Sequence, residues 1–434
     1  MSPQNALSIL FIFAATLAGA QSDTFNLSSY KARYERRPAM SLNGQANFQG
    51  NYRNYREAEN SGSARARLYW QELRNTDALI SSWGLSGSLQ GAFGQSSGLS
   101  SGRYNSGYFS ATIQREQSHY YRENRFWGWG GALHSDGSLT SLNNINRNLD
   151  FSLAPKIFRG LGRIEFAEDA LLASWMIEDL REAGVVTDFT PEDITALART
   201  ITDLIGNRVF DFRRRRIYEL GQLHSTLQER GLAERESFAL FAILNDNWAF
   251  ANRSTLPHGR RLAYGLEGNF DSNWNREENP VINSTRFYTY GLAFAEFSSA
   301  RIHNNRGGGQ WTAMLGGGYY YSRRKYDKDN SLPSKEGPFA RASVGYIYRW
   351  LPSSRTTLSW DNTVTATWGL PNTLYPFISS ENQASWNSGL DLDYFINYQW
   401  SFRLRAGTYL FYNEIPDRIV FSPEFQFSTF YYIF

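Results

Sequence analysis

The chain contains no cysteine among its 434 residues. Disulfides, thiolate metal sites and cysteine nucleophiles are therefore excluded together. Beyond residue 20 it has no apolar run long enough to cross a membrane as a helix. Excess charge of one sign is also missing: the formal net charge is +3, so nucleic-acid binding has no electrostatic support. His119, His134, His224, His258 and His303 are scattered without ligand spacing. His119 and His303 fall at expected strand ends and His224 in an expected helix, which argues against a hydroxyl–imidazole or carboxylate–imidazole catalytic pair. Gly307–Gly309 and Gly316–Gly318 fit a turn and a strand with close backbone approach, leaving room for other parts of the chain, rather than a phosphate loop. No catalytic residue, metal or cofactor is expected.

What the chain does have is aromatic residues, 16% of the total, at a mean hydropathy of only −0.48. They fall into an alternating pattern. Trp83, Leu85, Gly87, Leu89, Gly91 and Phe93 alternate with Ser82, Ser86, Ser88 and Gln90. Leu262, Tyr264, Leu266, Gly268 and Phe270 alternate with Glu267, Asn269 and Asp271, and Leu390, Leu392 and Tyr394 with Asp391 and Asp393. Period two is the strand signal. The polar faces are too charged for a dry core, so the apolar face is expected against lipid and the polar face in a wet lumen. The pattern predicts six strands, near 40–55, 62–74, 79–94, 106–119, 124–134 and 147–158. Eight more are predicted near 260–274, 285–300, 309–325, 337–350, 355–369, 388–398, 400–412 and 420–434. Links after odd strands read as long (Gln95–Asn105, Ser135–Asn146, Asp327–Glu336, Pro371–Asn387). Links after even strands read as short (Asn75–Ala78, Leu351–Ser354, Tyr398–Gln399).

About ninety residues between the sixth and seventh strands break this pattern with a helical period. Ile194, Leu197, Ala198, Ile201, Leu204 and Ile205 form one stripe, opened by Thr190-Pro191-Glu192-Asp193 as cap, first-turn proline and acidic first turn. Ala173, Met176, Ile177 and Leu180 form another, ending before Gly184. Two more helices are expected near 208–230, closed by Gly231, and 234–248.

The closing residues Phe430, Tyr432 and Phe434 alternate on one face, after which Ser428 and Gln426 continue that face while Phe427 and Phe425 take the other. Leu7–Leu17 is an apolar run followed by Ala18-Gly19-Ala20 before Gln21, with no Lys or Arg ahead of it. It suits a cleaved export signal. Together with the alternating strands, this ending resembles that of bacterial outer-membrane β-barrel proteins, which finish on Phe with an aromatic two residues earlier. The resemblance implies an all-β transmembrane antiparallel barrel of about 14 strands with an inserted helical module. It also implies a lipid-bilayer environment in the outer membrane and recognition of the closing strand by the barrel-assembly machinery. The organisation expected is a signal peptide at 1–20, a periplasmic leader at 21–38, strands one to six at 39–160, the helical periplasmic or plug module at 161–256, and strands seven to fourteen at 257–434.

The lumen faces carry Glu267, Asp271, Asp391, Asp393, Arg403, Arg405, Arg65, Arg67 and Arg341 as candidate channel-lining groups. Mixed sign fits neither a strict cation nor a strict anion filter. Folding the chain about Tyr398-Gln399 predicts Asp393 opposite Arg405, as wall stabilisation or as a transverse field. Arg213, Arg214, Arg215 and Arg216 read either as a solvated helix surface pairing with Glu219 and Asp211, or as an anion-attracting collar at the periplasmic mouth. Trp127, Trp129, Trp350, Trp368, Tyr319 and Tyr321 read as interfacial belts. The function expected is a channel or transporter for polar solutes, gated or plugged by the helices. The alternative is a barrel-anchored helical adaptor for secretion, exopolysaccharide export or envelope assembly, with a periplasmic protein partner on the insert.

Overall fold

In the computed structural model, described for residues 25–431 apart from short stretches at 54–56, 97–101, 142–144, 207–211, 234–236, 250–254, 279–280, 305, 327–332, 371–380, 397–399 and 414–417, fourteen antiparallel strands form one sheet in sequence order. They are β1 (Tyr34–Arg53), β2 (Glu57–Asn75), β3 (Leu79–Ser96), β4 (Gly102–Arg122), β5 (Arg125–Ser141), β6 (Ile145–Phe166) and β7 (Pro257–Glu278). The rest are β8 (Val281–Asn304), β9 (Gly307–Tyr326), β10 (Lys335–Ser353), β11 (Thr356–Leu370), β12 (Glu381–Phe395), β13 (Trp400–Asn413) and β14 (Arg418–Tyr431). Four helices separate β6 from β7: α1 (Glu168–Glu182), α2 (Pro191–Gly206), α3 (Phe212–Glu229) and α4 (Phe238–Ala249).

Each predicted strand and helix has its counterpart. The candidate export signal, Tyr432 and Phe434 lie outside the described residues, as does the turn at Tyr398-Gln399. Two expected long links need correcting: Ser135–Asn146 is mostly strand, because β5 runs to Ser141 and β6 begins at Ile145, and so is Gln95–Asn105, because β3 runs to Ser96 and β4 begins at Gly102. Ladder hydrogen bonds continue between β5 and β6 through Ser, Asp and Asn, where the apolar signal has already faded.

Cross-strand pairing sorts the side chains into two faces. One face places Leu68 opposite Gly87, Leu89 opposite Phe109, Leu153 opposite Phe270, and Val344 opposite Val364. Its large residues are bare: Leu89 is 65% exposed, and Leu42, Phe48, Ile157, Leu266, Leu315 and Phe425 are exposed as well. Aromatic clusters edge this band. Trp311, Tyr346 and Trp360 meet at one end, with ring centroids 4.5 and 6.1 Å apart, and Phe270, Phe287 and Tyr321 at the other, at 4.7 and 6.3 Å. Trp311 and Tyr321 share a face of β9, about 33 Å of strand apart at ~3.3 Å per residue. A ~40° tilt reduces this to about 25 Å, the height of a bilayer-facing apolar band.

β13 and β14 pair in unbroken register, with Phe430 opposite Ser401, Ser428 opposite Arg403 and Phe427 opposite Leu404. No bulge intervenes from Arg418 to Tyr431, so Ser428 shares the polar face with Arg403, while Phe425 and Phe427 occupy the apolar one.

The helices are held by local chemistry. The Thr190 amide and hydroxyl both donate to Asp193, at 2.8 Å each, closing the start of α2. Gly184 and Gly231 adopt φ of +71° just past α1 and α3. The Val185 and Leu232 amides then reach back to the Leu180 and Leu227 carbonyls at 2.9 Å. The helices share a core built on Leu171, Met176, Ile177, Leu180, Ile194, Leu197, Ile201, Ile205, Leu223 and Trp248. The leader joins that core through Phe25, Leu27, Tyr30 and Ala32. Of the leader expected at 21–38, the part up to Ala32 is therefore in the module's packing, and from Tyr34 it is already β1.

Candidate functional site: a helical cap and a charged inner wall

The module sits across one end of the sheet. Leu73 of β2, Ile302 of β8 and Leu351 of β10 pack against its core, all near the strand ends that carry the short turns. Polar ties follow the same rim. Arg37 of β1 donates to Asp169 at 2.5 Å and to Glu168 at 3.1 Å. Arg306, between β8 and β9, approaches Glu178 at 3.8 Å, and Arg355, between β10 and β11, grips Asp246 with both ends of its fork at 2.6–3.2 Å. In a flat sheet β1 and β11 would stand about 48 Å apart at ~4.8 Å per strand. The longest helix, α3, is 18 residues, about 27 Å. One compact bundle can touch both rims only if the sheet curls strongly around it.

At the joint between leader and sheet, Arg33 donates to both Glu165 oxygens at 2.7 and 2.8 Å and to Asp77 at 2.6 Å. Deeper in, Asp169 accepts from Thr202 at 2.6 Å, and the Tyr30 and Thr202 hydroxyls lie 2.7 Å apart. Glu168 and Asp169 are thus two buried carboxylates sharing the Arg37 guanidinium. Burial first, and then repulsion from Asp169, push the Glu168 carboxyl up to about 7, against the pull of Arg37. Its Oε2 finds no donor, as suits a carboxyl that carries a proton. Desolvation also raises the Tyr30 phenol.

Above this cap the inner face carries a four-charge network. Lys156 of β6 stands 3.8 Å from Glu116 and 3.5 Å from Glu296, and Arg261 of β7 stands 3.4 and 3.3 Å from the same two carboxylates. The cations rest on rings: Lys156 lies 4.9 Å from the Phe294 centroid and Arg261 lies 5.0 Å from that of Phe126. Glu116 belongs to β4, so the network crosses β5, whose inner face there is Gly128 and Gly130. A side chain at Gly128 would strike the Phe158 ring at 2.4 Å, and one at Gly160 would meet the Leu262 carbonyl at 2.0 Å. The glycines therefore let aromatic rings lie flat against the wall beneath the charges. Nothing in the alternating pattern singles out this network. Its only signal is a lysine and an arginine at polar-face positions.

The predicted lumen residues all fall on the polar face, but not as one cluster. Asp393 stands opposite Arg403 and Asp391 opposite Arg405. That is a two-residue correction to the expected Asp393–Arg405 pair, set by the register of β12 on β13. Arg403 grips Asp393 at 2.7 and 3.3 Å, while Arg405 and Asp391 are 3.9 Å apart. Glu267 lies opposite Lys156 and accepts from the Tyr290 hydroxyl at 3.0 Å. Asp271 accepts from Asn269 at 2.6 Å, within an amide–carboxylate array that also contains Asn148, Asp150 and Asn273. Arg341 stands opposite Gly316 and Thr367. Arg65 and Arg67 line the wall of β2 with serines on either side.

In the arginine run, Arg215 approaches Glu219 at 3.2 Å and Arg216 donates to the Asn245 side chain and carbonyl at 2.9 Å. Those two serve helix packing, while the side chains of Arg213 and Arg214 lie outside the described residues. The histidines are less isolated than their spacing suggests. His134 lies 2.8 Å from the Thr112 hydroxyl through Nδ1 and 3.0 Å from Asp136 through Nε2. Alternation in β5 hides this contact, since residues two apart share a face. Among the described residues, no group of acidic and histidine side chains is arranged to hold a metal ion.

No family model and no curated protein sequence matches the chain. Solved structures do. The ferric yersiniabactin uptake receptor FyuA of Yersinia pestis superposes with a TM-score of 0.35 at 6% identity, over 88% of this chain and 61% of the receptor. OccK11 (OpdR) and OccD3 (OpdP) of Pseudomonas aeruginosa give TM-scores of 0.21 and 0.18 at 8% and 9% identity, each over 94% of this chain and over 98% and 95% of their own. Its structural neighbours are outer-membrane β-barrel proteins. The chain spans about three fifths of the length of the yersiniabactin receptor. At scores this low the superpositions carry no argument about solute or mechanism, and the strand order and faces of the chain itself describe its fold.

Proposed function

We propose that the protein is an outer-membrane barrel, exported by a signal peptide at residues 1–20 and closed by β14 against β1, that conducts polar solutes along its charged inner wall. The helical module acts as a plug at the periplasmic mouth. The observation that carries the reading is the cap's reach: its ties run from Arg37 on β1 to Arg355 beyond β10, along most of the rim rather than at one point of it. The exposed apolar band and its two aromatic edges support the bilayer setting. The paired lumen charges (Asp393–Arg403, Asp391–Arg405, Glu116–Lys156–Arg261–Glu296) suit neutral or zwitterionic polar solutes better than a single ion sign. Non-enzymatic transport fits the scattered polar wall.

A second reading, a barrel anchoring a periplasmic adaptor, is favoured by one feature. Ile217, Tyr218 and Phe238 are exposed on α3 and α4 at 73, 61 and 91%, as a docking surface for a protein would be. Planar-bilayer conductance of the full chain and of a variant lacking 165–250 separates the two. A blocked pore that opens on deletion supports the plug. Silence in both refutes the channel.

A further inference from the structure

The inner wall of β2, β3 and β4 holds a recess of about 270 Å³ lined by Ser41, Arg65, Arg67, Tyr69, Ser86, Ser88 and Ser110 with the backbone between them. The register makes it a lattice of donors. Arg67, Ser88 and Ser110 form one cross-strand row, Tyr69 and Ser86 the row on the periplasmic side, and Arg65 with Gln90 the row beyond. Directly opposite residues stand ~4.5–5.5 Å apart, so the two guanidiniums and the Ser88 and Ser110 hydroxyls converge on one small volume. Several of the wall's cations are answered by carboxylates: Lys156 and Arg261 by Glu116 and Glu296, Arg403 by Asp393. Arg65 and Arg67 are not. Among the described residues no carboxylate pairs with either, none lines the recess, and Arg65 Nε is buried without an acceptor.

We propose that this recess is an anion subsite on the solute path, taking the carboxylate or phosphate group of a small polar solute. Planar oxyanions suit the guanidinium fork, which donates two parallel N–H bonds to two oxygens. The serine hydroxyls can donate to a third oxygen. The acidic side of the wall begins one strand away, where Asp136 of β5 stands opposite Ser110. A solute anchored here by its anion would therefore present any cationic group toward Asp136 and, beyond it, Asp150.

The inference deepens the channel reading and rests on it for the word path, but the binding itself can be measured without conduction. Full-length protein in detergent micelles is titrated calorimetrically with inorganic phosphate and, separately, with acetate. The wild type should bind at least one of them saturably in the millimolar range, and choline should not compete. Arg65→Gln/Arg67→Gln should weaken that binding at least tenfold, while Arg403→Gln leaves it within twofold. Phosphate alone, acetate alone or both binding identifies the preferred oxyanion, and each supports the subsite. No saturable binding by the wild type, or binding unchanged in the double variant, overturns it. If the double variant does not fold, Ser88→Ala/Ser110→Ala must lower affinity at least threefold, and unchanged affinity overturns the subsite equally. Binding without conductance would leave the subsite standing and sink the channel.

Discussion

Replacing Glu168 by Gln should make the helical cap insensitive to pH. Glu168 and Asp169 share the Arg37 guanidinium in a buried joint, closed in by Tyr30 of the leader, Tyr34 of β1 and Glu165 of β6, and by Thr202 and Arg199 of α2. Within the Glu168–Asp169–Arg37 triad two carboxylates face one guanidinium in a desolvated space, so the carboxyl without a second donor takes the proton. Asp169 has Thr202 as well as Arg37; Glu168 has Arg37 alone among side chains. Its carboxyl is raised from 4.5 to about 7. A raised carboxyl means that the packed state holds its proton more tightly than the opened one. The stabilisation is fully present below pH 4.5 and is lost as pH rises through 7. At 1.36 kcal/mol per unit the loss amounts to about 3 kcal/mol, roughly a hundredfold in the opening equilibrium. The assay is hydrogen exchange of the α1 and α2 amides in micelles from pH 5 to 8.5, corrected for intrinsic exchange. Wild-type protection should fall across that range. The Glu168→Gln protein should match wild type at pH 5 to within about 1 kcal/mol and exceed it at pH 8 by as much as about 3 kcal/mol, because the amide keeps an acceptor for Arg37 without a charge. Flat wild-type protection, or an equal pH slope in the variant, would refute the argument.

Two further expectations concern the wall. Leu89→Arg, on the apolar face of β3, should cost about 2–4 kcal/mol of folding free energy in a bilayer, while Gln90→Arg on the next residue and the opposite face should cost far less. Equal costs measured by urea titration in vesicles would mean that the faces are assigned wrongly. Gly160→Ala drives a methyl to 2.0 Å from the Leu262 carbonyl and 2.6 Å from the Phe126 ring, and should lose about 1–3 kcal/mol. Gly291→Ala meets no atom within 4 Å and should stay within about 0.5 kcal/mol of wild type. The heat-modified electrophoretic shift of the folded form reports both.

Much of the architecture can be read from residue order because each strand must satisfy two solvents at once. The alternation from Trp83 to Phe93 and from Leu262 to Phe270 is what a sheet with two unlike surroundings requires. The helix ends were equally legible, since Gly184 and Gly231 do what only a residue free of a Cβ does easily at positive φ. Four things were not legible. Strand length beyond the apolar band, as in β5, depends on ladder hydrogen bonds that polar residues make as well as apolar ones. The Asp391–Arg405 and Asp393–Arg403 register hangs on where one turn begins, and a shift of one residue there moves every partner by two. The Glu116–Lys156–Arg261–Glu296 network joins strands four to eight through the curvature of the sheet, which no local window contains. The chemistry of Arg65 and Arg67 was visible as charge but not as a recess, because Ser88 and Ser110 look like ordinary polar-face residues until their rows align.

The leader's place inside the helical core has a consequence for assembly. Leu27 and Tyr30 share a core with Ile201 and Met176, so the ends of the β1–β6 segment are clasped together by non-covalent packing. The first six strands thus form a closed lariat, fastened at Arg33–Glu165 and Arg37–Asp169. A nascent chain that has reached α2 already holds most of what the clasp needs, while β7 to β14 are still to be laid down. The knot would set the curvature and starting rim for the later strands, and a lesion in the leader would appear as a failure to complete the wall rather than as a loss of one loop.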